Sequence, residues 1–485
     1  MASEQTNTKR TIKDILKVSF GNVVKLLGSI LVGFLLPKII GVTDYGYYKI
    51  FTLYATYIGL FHFGFADGIY LVYGGMSYDE LKRSSFRTYS VFLIVMELLI
   101  SVAFGIASLC ILSGELRFIF ICLSVLLLSA NITNYYQIIS QITSRFNELS
   151  TRTIIQSALT VIAILVLWII YKVNGELLTY RVYTVVFVAI NVILAVWYMF
   201  TYREITFGAR ERLSSETKAL KVFFLLGFPL LFANLCSTFI LAIDRQFVSV
   251  LFDTNIYAIY AFAYNMLALI TTALAAVSTV LYPTLKKANS ETLKANYSRL
   301  VEAVLIITFA CLFIYFPLKW FVPWFLPKYS DSLPIFRVIL PGLAVSSVIT
   351  IVMHNYYKAE GKEVMFFVKS IAVLLLSGVA NYVSYLFFKT TISISIASIL
   401  IMVVWYVLIE EYFIRVYKIR WLKNFTYMMT MSIGFYLITA FDNWWITMLV
   451  YTCLFLAVTF LFYWNDVKKI SNKLYRGNKL LGVGK

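Results

Sequence analysis

Polar and charged side chains recur at helical spacing inside apolar runs long enough to cross a lipid bilayer. The first run, residues 15–36, places six small or polar residues within an arc of about 140° of a helix: Gly21, Asn22, Lys25, Gly28, Ser29 and Gly33. A lysine on such a face can bind an anion in a wet cavity, because lipid does not solvate it. The alternative is close packing through the glycines, with Lys25 extending to the membrane surface. We favour the cavity, with Asn22 and Ser29 as polar lining.

A second polar stripe lies in the run 222–251. Four of its residues fall within about 20° of one another on a helical wheel: Gly227, Asn234, Thr238 and Arg245. Arg245 is predicted to contact an anion. Asp244, about 100° away, is its predicted electrostatic partner or a carboxylate that couples transport to a cation. The alternative is a charge pair that only sets the orientation of the helix.

The run 118–141 carries amides on about a third of the helical wheel: Asn131, Asn134, Gln137 and Gln141. One interpretation is that these amides hydrogen bond neighbouring helices, as they commonly do in membrane bundles. The other is that Asn134, Gln137 and Gln141 bind sugar hydroxyls, because an amide offers both donors and acceptors. Both interpretations stay open on the sequence alone.

Two single charges complete the candidate set. Asp67, near the end of the second run, is a candidate for coupling to a cation, and Arg337 is a third candidate anion contact. The five cysteines all lie inside apolar runs without CxxC spacing, and the chain has only two histidines. Walker motifs, nucleophile elbows and metal-ligand clusters are absent from the sequence. We therefore predict a protein that is not an enzyme and that uses neither a metal nor a cofactor.

The elements that position these residues are predicted to be about fourteen transmembrane helices. The chain is 61% hydrophobic and only 14% charged, which excludes an ordinary soluble domain. The apolar runs lie near 15–36, 46–68, 88–112, 118–141, 153–171, 179–201, 222–251, 255–283, 300–322, 334–356, 364–387, 392–413, 425–441 and 444–464. Each approaches or exceeds the roughly 20 residues that cross a bilayer as a helix. The predicted class is an all-α polytopic membrane protein.

Basic residues alternate between the connections of these runs. Of the 42 lysines and arginines, 31 lie in or beside the even-numbered connections and the two tails, and 7 lie in or beside the odd-numbered ones. Basic connections stay on the cytoplasmic side during insertion, so both termini are predicted to be cytoplasmic. The net charge of +18 is thereby explained without nucleic-acid binding.

The longest connection, about 202–221, divides the first twelve runs into two sets of six. Weak similarity between the sets predicts two bundles related by a pseudo-two-fold axis along the membrane normal, enclosing a cavity. The predicted domains are an N-terminal bundle, a linker, a C-terminal bundle, two added helices and a basic tail: 1–205, 206–221, 222–414, 425–464 and 465–485.

Two segments resemble a known family. Residues 21–51 contain PKIIG at 37–41 and DYGY at 44–47 after a glycine-bearing run, like the opening of bacterial polysaccharide biosynthesis proteins of the O-antigen flippase type. Residues 227–252, with Asp244-Arg245, resemble the seventh span of that family, although Ala258 stands where glycine is usual. The family belongs to the multidrug/oligosaccharidyl-lipid/polysaccharide transporter superfamily.

The resemblance implies a flippase that moves a polyprenyl-diphosphate-linked oligosaccharide from the cytoplasmic to the periplasmic leaflet of a bacterial inner membrane. Lys25, Arg245 and Arg337 would neutralise the diphosphate, and Asp67 or Asp244 would couple transport to a cation gradient. The implied partners are this lipid-linked substrate, membrane lipids and the polymerase and glycosyltransferase machinery, and the chain is expected to act as a monomer.

Three alternatives remain at this point. A multidrug or organic cation antiporter of the same superfamily would need an acidic cavity, and Lys25 argues against it. A membrane polymerase or sugar transferase would need a large loop with catalytic residues, whereas the connections here are short. A scaffold for polysaccharide assembly that does not transport is disfavoured only mildly by the polar stripes.

Overall fold

This computed structural model describes residue 21 and residues 24–286 and 289–480. Nearly all of this part is helical, and it contains no β-strand, only an isolated bridge between Ile40 and Leu178. A helix satisfies its own backbone hydrogen bonds, which lipid cannot do. The predicted all-α membrane class is confirmed.

In chain order the helices are α1 (24–39), α2 (Val42–Ala55), α3 (Phe65–Tyr73), α4 (Arg83–Ile111), α5 (Gly114–Ile142), α6 (Phe146–Asn174), α7 (Tyr180–Thr201), α8 (Arg203–Thr206), α9 (Leu213–Ile240), α10 (Ile243–Leu251), α11 (Thr254–Lys286), α12 (Ser290–Cys311), α13 (Tyr315–Phe325), α14 (Ser332–Ile339), α15 (Gly342–Ser347), α16 (His354–Ala359), α17 (Glu363–Phe388), α18 (Thr391–Tyr417), α19 (Trp421–Ile438) and α20 (Trp444–Leu480). Short 3-10 segments lie at Ile58–His62, Tyr78–Glu80, Leu312–Ile314 and Pro327–Tyr329, and Val348–Met353 is π-helical.

Within the described residues, nine helices are long and apolar enough to cross a membrane, and two bent pairs would bring the number to eleven. One pair bends by 58° between Val42–His62 and Phe65–Tyr73, the other by 46° between Ser332–Ile339 and Gly342–Ala359. The runs predicted at 15–36, 255–283 and 425–441 are not among these spans, so the number fourteen is not confirmed.

The chain divides into two compact units. The first comprises Met1–Ala276 with Lys362–Ile394, and the second comprises Val277–Gly361 with Ser395–Lys485. The domains expected from the sequence, including the pseudo-two-fold axis, stay a prediction.

The connections between the predicted runs are numbered from the N-terminus. In the first unit, connections 2, 4 and 6, which are residues 69–87, 142–152 and 202–221, meet one another. The guanidinium of Arg145, in connection 4, lies 4.3 Å from the ring centre of Tyr78 in connection 2. The ammonium of Lys82, also in connection 2, lies 3.1 Å from the carboxylate of Glu211 in connection 6. The hydrogen bond from Lys82 is the main cause that lowers the pKa of the Glu211 carboxyl below its ordinary value. The basic connections of this unit therefore share one face.

The odd-numbered connections of this unit meet in the same way. The amide of Leu178, in connection 5, donates to the carbonyl of Ile39 at 2.9 Å, next to connection 1. The carboxylate of Glu115, in connection 3, lies 2.7 Å from the guanidinium of Arg181, just after connection 5. Because odd and even connections gather separately, the helices between them run in alternating directions.

The DYGY segment begins α2 and fixes its start against two other helices. The Asp44 carboxylate accepts a hydrogen bond of 2.8 Å from the backbone amide of Tyr180, the first residue of α7. At Gly46, an added Cβ would lie 2.4 Å from the carbonyl oxygen of Thr254, the first residue of α11. A side chain at Gly46 would push α11 away from α2.

Helices α3 and α9 touch through their backbones. A Cβ at Gly227 would lie 1.8 Å from the carbonyl oxygen of Gly64, and one at Gly68 would lie 2.0 Å from that of Phe223. Gly64 also has φ +82°, which side chains rarely adopt. These glycines bring two helices closer than side chains would allow, as small residues do in membrane bundles.

Candidate functional site

A cavity of about 420 Å³ opens among five helices of the first unit: α1, α2, α6, α7 and α11. This volume is within the range of roughly 300–1,000 Å³ that is typical of small-molecule sites. Its polar lining includes two lysines, Lys25 on α1 and Lys49 on α2.

The small and polar face of α1 forms one wall of this cavity. Lys25, Gly28, Ser29 and Gly33 all line it. Lys25 is exposed, and the Ser29 hydroxyl donates to the Lys25 carbonyl at 2.8 Å, which ties the serine to its own helix. Lys25 thus lines the cavity, and its role in binding stays a prediction. Asn22 lies outside the described residues.

Lys49 is the cation that the sequence reasoning did not assign to the site. Its ammonium donates to Oδ1 of Asn265 at 3.0 Å, and lies 5.1 Å and 5.8 Å from the ring centres of Tyr45 and Tyr48. The aromatic faces and the amide stabilise a positive charge that is only partly exposed. A lysine within a predicted span, six residues before the end of α2, was the available signal.

Asn265 of α11 connects Lys49 to the α1 wall. Its Nδ2 donates to the carbonyl of Gly33 at 3.1 Å, while its Oδ1 accepts from Lys49. A Cβ at Gly33 would lie 2.6 Å from that Nδ2. Glycine is therefore needed at position 33 for the amide to reach the backbone and hold the lysine.

Hydroxyls and amides supply the rest of the polar lining. They come from three helices: Gln156, Ser157 and Thr160 on α6, Tyr183 on α7, and Thr272 on α11. Gln156 donates to Oδ1 of Asn191 at 3.4 Å, and Thr160 donates to the carbonyl of Gln156 at 2.8 Å. A ligand with many hydroxyl groups would find both donors and acceptors here.

Asp244 and Arg245 lie in the first turn of α10 and do not line this cavity. Asp244 is buried and accepts hydrogen bonds from the hydroxyls of Tyr260, at 2.7 Å, and Tyr264. Arg245 donates to the carbonyl of Leu241 at 2.9 Å, and its guanidinium lies 4.7 Å from the ring centre of Tyr264. The pair thus binds α10 to α11.

The other three residues of the second polar stripe, Gly227, Asn234 and Thr238, lie on α9. They too are outside the cavity lining. Asn234 is exposed, Thr238 is partly buried, and the Thr238 hydroxyl donates to the Asn234 carbonyl at 3.0 Å. Gly227 packs against α3 as described above.

The amides of α5 likewise lie outside the cavity lining. Asn134 and Gln137 are partly buried, and Gln141 is exposed. Their neighbour Asn131 is buried and bridges helices, since its Nδ2 donates to the Glu97 carboxylate of α4 at 2.8 Å. The contacts of Asn131 fit the interpretation of an amide that bridges helices.

Asp67 and Arg337 each contact polar groups elsewhere in the protein. An oxygen of the Asp67 carboxylate lies 3.9 Å from Nε2 of His62, across the bend between α2 and α3. Arg337 of α14 belongs to the second unit, where it donates to the Thr439 hydroxyl at 2.9 Å and the Tyr436 carbonyl at 2.5 Å. Their assigned roles, in coupling and in anion binding, stay predictions.

Comparison with solved structures gives the fold a context. The chain is similar to a structure described as "Lipid II flippase MurJ, inward closed conformation", with a TM-score of 0.68 and 15% identity over 94% of this chain and 100% of the other. It is also similar to an outward-facing multidrug resistance MATE family transporter of the MOP superfamily, with a TM-score of 0.52 and 14% identity over 84% and 96% of the two chains. A MOP superfamily transporter from Pyrococcus furiosus gives a TM-score of 0.54 at 14% identity, over the same shares. At these identities the likeness establishes the fold.

Sequence comparison establishes the family. No curated protein sequence matches the chain significantly. A profile of one family, however, matches residues 11–289, which is more than half of the 485 residues and includes all the helices that line the cavity. The chain therefore belongs to the polysaccharide biosynthesis protein family, and it is a multi-pass membrane protein with the fold of the MOP superfamily transporters.

Proposed function

We propose that this protein is a flippase for a polyprenyl-diphosphate-linked oligosaccharide, the repeat unit of O-antigen or another surface polysaccharide. It would move the unit from the cytoplasmic to the periplasmic leaflet of a bacterial inner membrane. The observation that carries the proposal is the pair of lysines, Lys25 and Lys49, in one polar cavity of a chain from the polysaccharide biosynthesis family.

The charges of the lysines match those of a diphosphate. Placing a charged group at the centre of a bilayer costs about 2.5–3.5 kcal/mol on insertion scales. An opposite charge at 4 Å contributes about 4 kcal/mol at an effective dielectric constant of 20. One lysine contact therefore offsets the cost of one phosphate charge, and two lysines are enough for a diphosphate diester.

The remaining lining fits the sugars, since its hydroxyls and amides can replace the water that sugar hydroxyls lose. The polyprenyl tail would stay in lipid. At about 420 Å³ the cavity is near the lower end of the usual range for ligand sites, so transport also requires a more open conformation. Alternating access by rocking of two bundles would supply one. Arg245 and Arg337 remain candidate anion contacts during this change, and Asp67 and Asp244 remain candidates for cation coupling.

An organic cation antiporter is the second candidate, and the similarity to MATE structures favours it. That similarity concerns the fold and leaves the cargo open. The two lysines in the cavity would repel a cation, which favours the flippase.

The test replaces each lysine in the native bacterium and measures surface polysaccharide. Lys25→Ala and Lys49→Ala should each reduce the exported polysaccharide at least tenfold, because one phosphate charge would lose its partner. Lys25→Arg should retain most export, since it keeps the charge. Lys172→Ala is the matched control, because it removes an exposed lysine from the end of α6, away from the cavity.

The amount of each variant in the membrane is measured by immunoblotting, so that a loss of folding is not mistaken for a loss of transport. Normal export by both alanine variants at normal membrane levels would overturn the flippase proposal. Resistance to organic cations that rises in Lys25→Ala and Lys49→Ala cells would instead support the antiporter.

A further inference from the structure

A second cavity, of about 350 Å³, lies in the second unit between the first half of α12 and the start of α19. Its polar lining is strongly basic and comprises Ser298, Arg299, Glu302, Arg420, Lys423 and Asn424. None of these residues belongs to the lysine-lined cavity, and the proposed transport function does not use them.

Two of the three basic side chains in this cavity are not neutralised. Lys423 lies 3.1 Å from the carboxylate of Glu302, which is mostly buried. Arg299 and Arg420 form no ion pair within the described part of the chain and are exposed. The lining therefore has two positive charges in excess, held by guanidinium groups that suit phosphate oxygens.

Tyr463, outside the cavity lining, contacts two of the lining residues. The hydroxyl of Tyr463, on α20, donates to Oδ1 of Asn424 at 3.0 Å. The same ring lies under the ammonium of Lys423, with 4.6 Å between the nitrogen and the ring centre. Tyr463 is buried, so Lys423 and Asn424 are oriented before a ligand arrives.

The cavity lies where a membrane surface is expected. Its residues flank connections 8 and 12, which the distribution of basic residues predicts to be cytoplasmic. Trp421 follows Arg420 and Trp464 follows Tyr463 in sequence, and tryptophan is enriched at membrane interfaces. Leu422 and Leu461, which are 62% and 80% exposed, offer apolar surface on the same two helices.

We propose that this cavity binds the phosphate headgroup of an anionic phospholipid from the cytoplasmic leaflet. Arg299 and Arg420 contact the phosphate, and Lys423 is shared between the lipid and Glu302. Basic pockets between transmembrane helices on this side of a membrane are typical headgroup sites. A lipid is favoured over free phosphate because the exposed Leu422 and Leu461, on the helices of Lys423 and Tyr463, can contact its acyl chains.

The test measures binding of phosphatidylglycerol to the purified full-length chain by native mass spectrometry, with phosphatidylcholine as the neutral reference. A basic side chain near an anionic lipid contributes about a fivefold gain in affinity. The double variant Arg299→Gln/Arg420→Gln should therefore bind phosphatidylglycerol about thirtyfold more weakly. The control Lys294→Gln/Lys418→Gln removes two exposed charges from the same connections, outside the cavity, and should change affinity less than threefold.

A third variant should strengthen the binding of phosphatidylglycerol instead of weakening it. Glu302→Gln removes the only carboxylate that lines the cavity in the described part of the chain, so phosphatidylglycerol should bind more tightly. This gain keeps the proposal testable if the double variant does not fold. Equal affinities for the two lipids, equal losses in the double variant and its control, or binding of inorganic phosphate as tight as that of phosphatidylglycerol would each overturn the proposal. The assay involves no transport, so its outcome is independent of the flippase test.

Discussion

The buried carboxylate of Asp244 shows how one residue can join two helices inside a membrane. It accepts hydrogen bonds from Tyr260 and Tyr264, both on α11, while Asp244 itself lies in the first turn of α10. Its other oxygen, Oδ1, has no hydrogen-bond partner within the described residues. A charged acceptor strengthens both tyrosine contacts, because a hydrogen bond to a charged group contributes about 1.5–3 kcal/mol.

Asp244→Asn should therefore destabilise the protein by about 2 kcal/mol, since the amide keeps the shape but loses the charge. The measurement is the melting temperature of the purified protein in detergent, which should fall. Asp79→Asn, at an exposed position, is the control and should leave it unchanged. An unchanged melting temperature for Asp244→Asn would show that these hydrogen bonds are not structural.

Periodicity predicts which residues share a helical face, and it could predict the α1 wall of the cavity with Lys25 and Ser29. It could not predict Lys49, because the significance of that lysine depends on Asn265, 216 positions later in the chain. The sequence marks Asp244 and Arg245 by their charge, but Tyr260 and Tyr264, which contact them, come from another helix. Contacts between distant segments are set by packing, which one helical wheel does not contain.

At the level of elements, the contact between α3 and α9 depends on the absence of side chains. The carbonyl oxygen of Gly64 occupies the place where a Cβ of Gly227 would stand. The sequence places Gly227 in a polar stripe. Its packing role depends on α3, which is distant in the chain and does not appear on the helical wheel of α9. The 58° bend before α3 was also not predicted, because an apolar run has the same composition whether its helix is straight or bent.

Gly227→Ala should separate α3 from α9 and lower both the melting temperature and the yield of folded protein. Overpacking costs about 1–3 kcal/mol where neighbours can move, and here the obstructing atoms are backbone. Gly59→Ala is the matched control, because a Cβ at Gly59 meets nothing within 4 Å. Equal stability of the two variants would mean that the helices can separate without cost.

For the whole molecule, the separation of odd and even connections in the first unit determines which loops share a side. Connections 2, 4 and 6 are joined by Tyr78–Arg145 and Lys82–Glu211, and connections 3 and 5 by Glu115–Arg181. Hydropathy and the distribution of basic residues could predict this alternation, because both are averages over many residues. The number of spans was harder to predict, since it depends on where helices bend.

The predicted orientation can be tested with two single cysteines in a chain whose five native cysteines are replaced. Glu176→Cys and Arg210→Cys lie beyond opposite ends of α7, in connections 5 and 6. A thiol reagent that does not cross membranes should label Glu176→Cys in intact cells and Arg210→Cys only after permeabilisation. The reverse pattern would invert the orientation, and labelling of both in intact cells would mean that α7 does not span.

The glycine contact between α3 and α9 also bears on how the protein can move. Two helices that touch through backbone atoms have no flexible side chain between them to change rotamer, so we expect this contact to stay closed. Because α3 belongs to the predicted N-terminal bundle and α9 to the predicted C-terminal one, rocking of the bundles should then pivot at this contact. A covalent cross-link at the pivot should therefore leave the rocking intact.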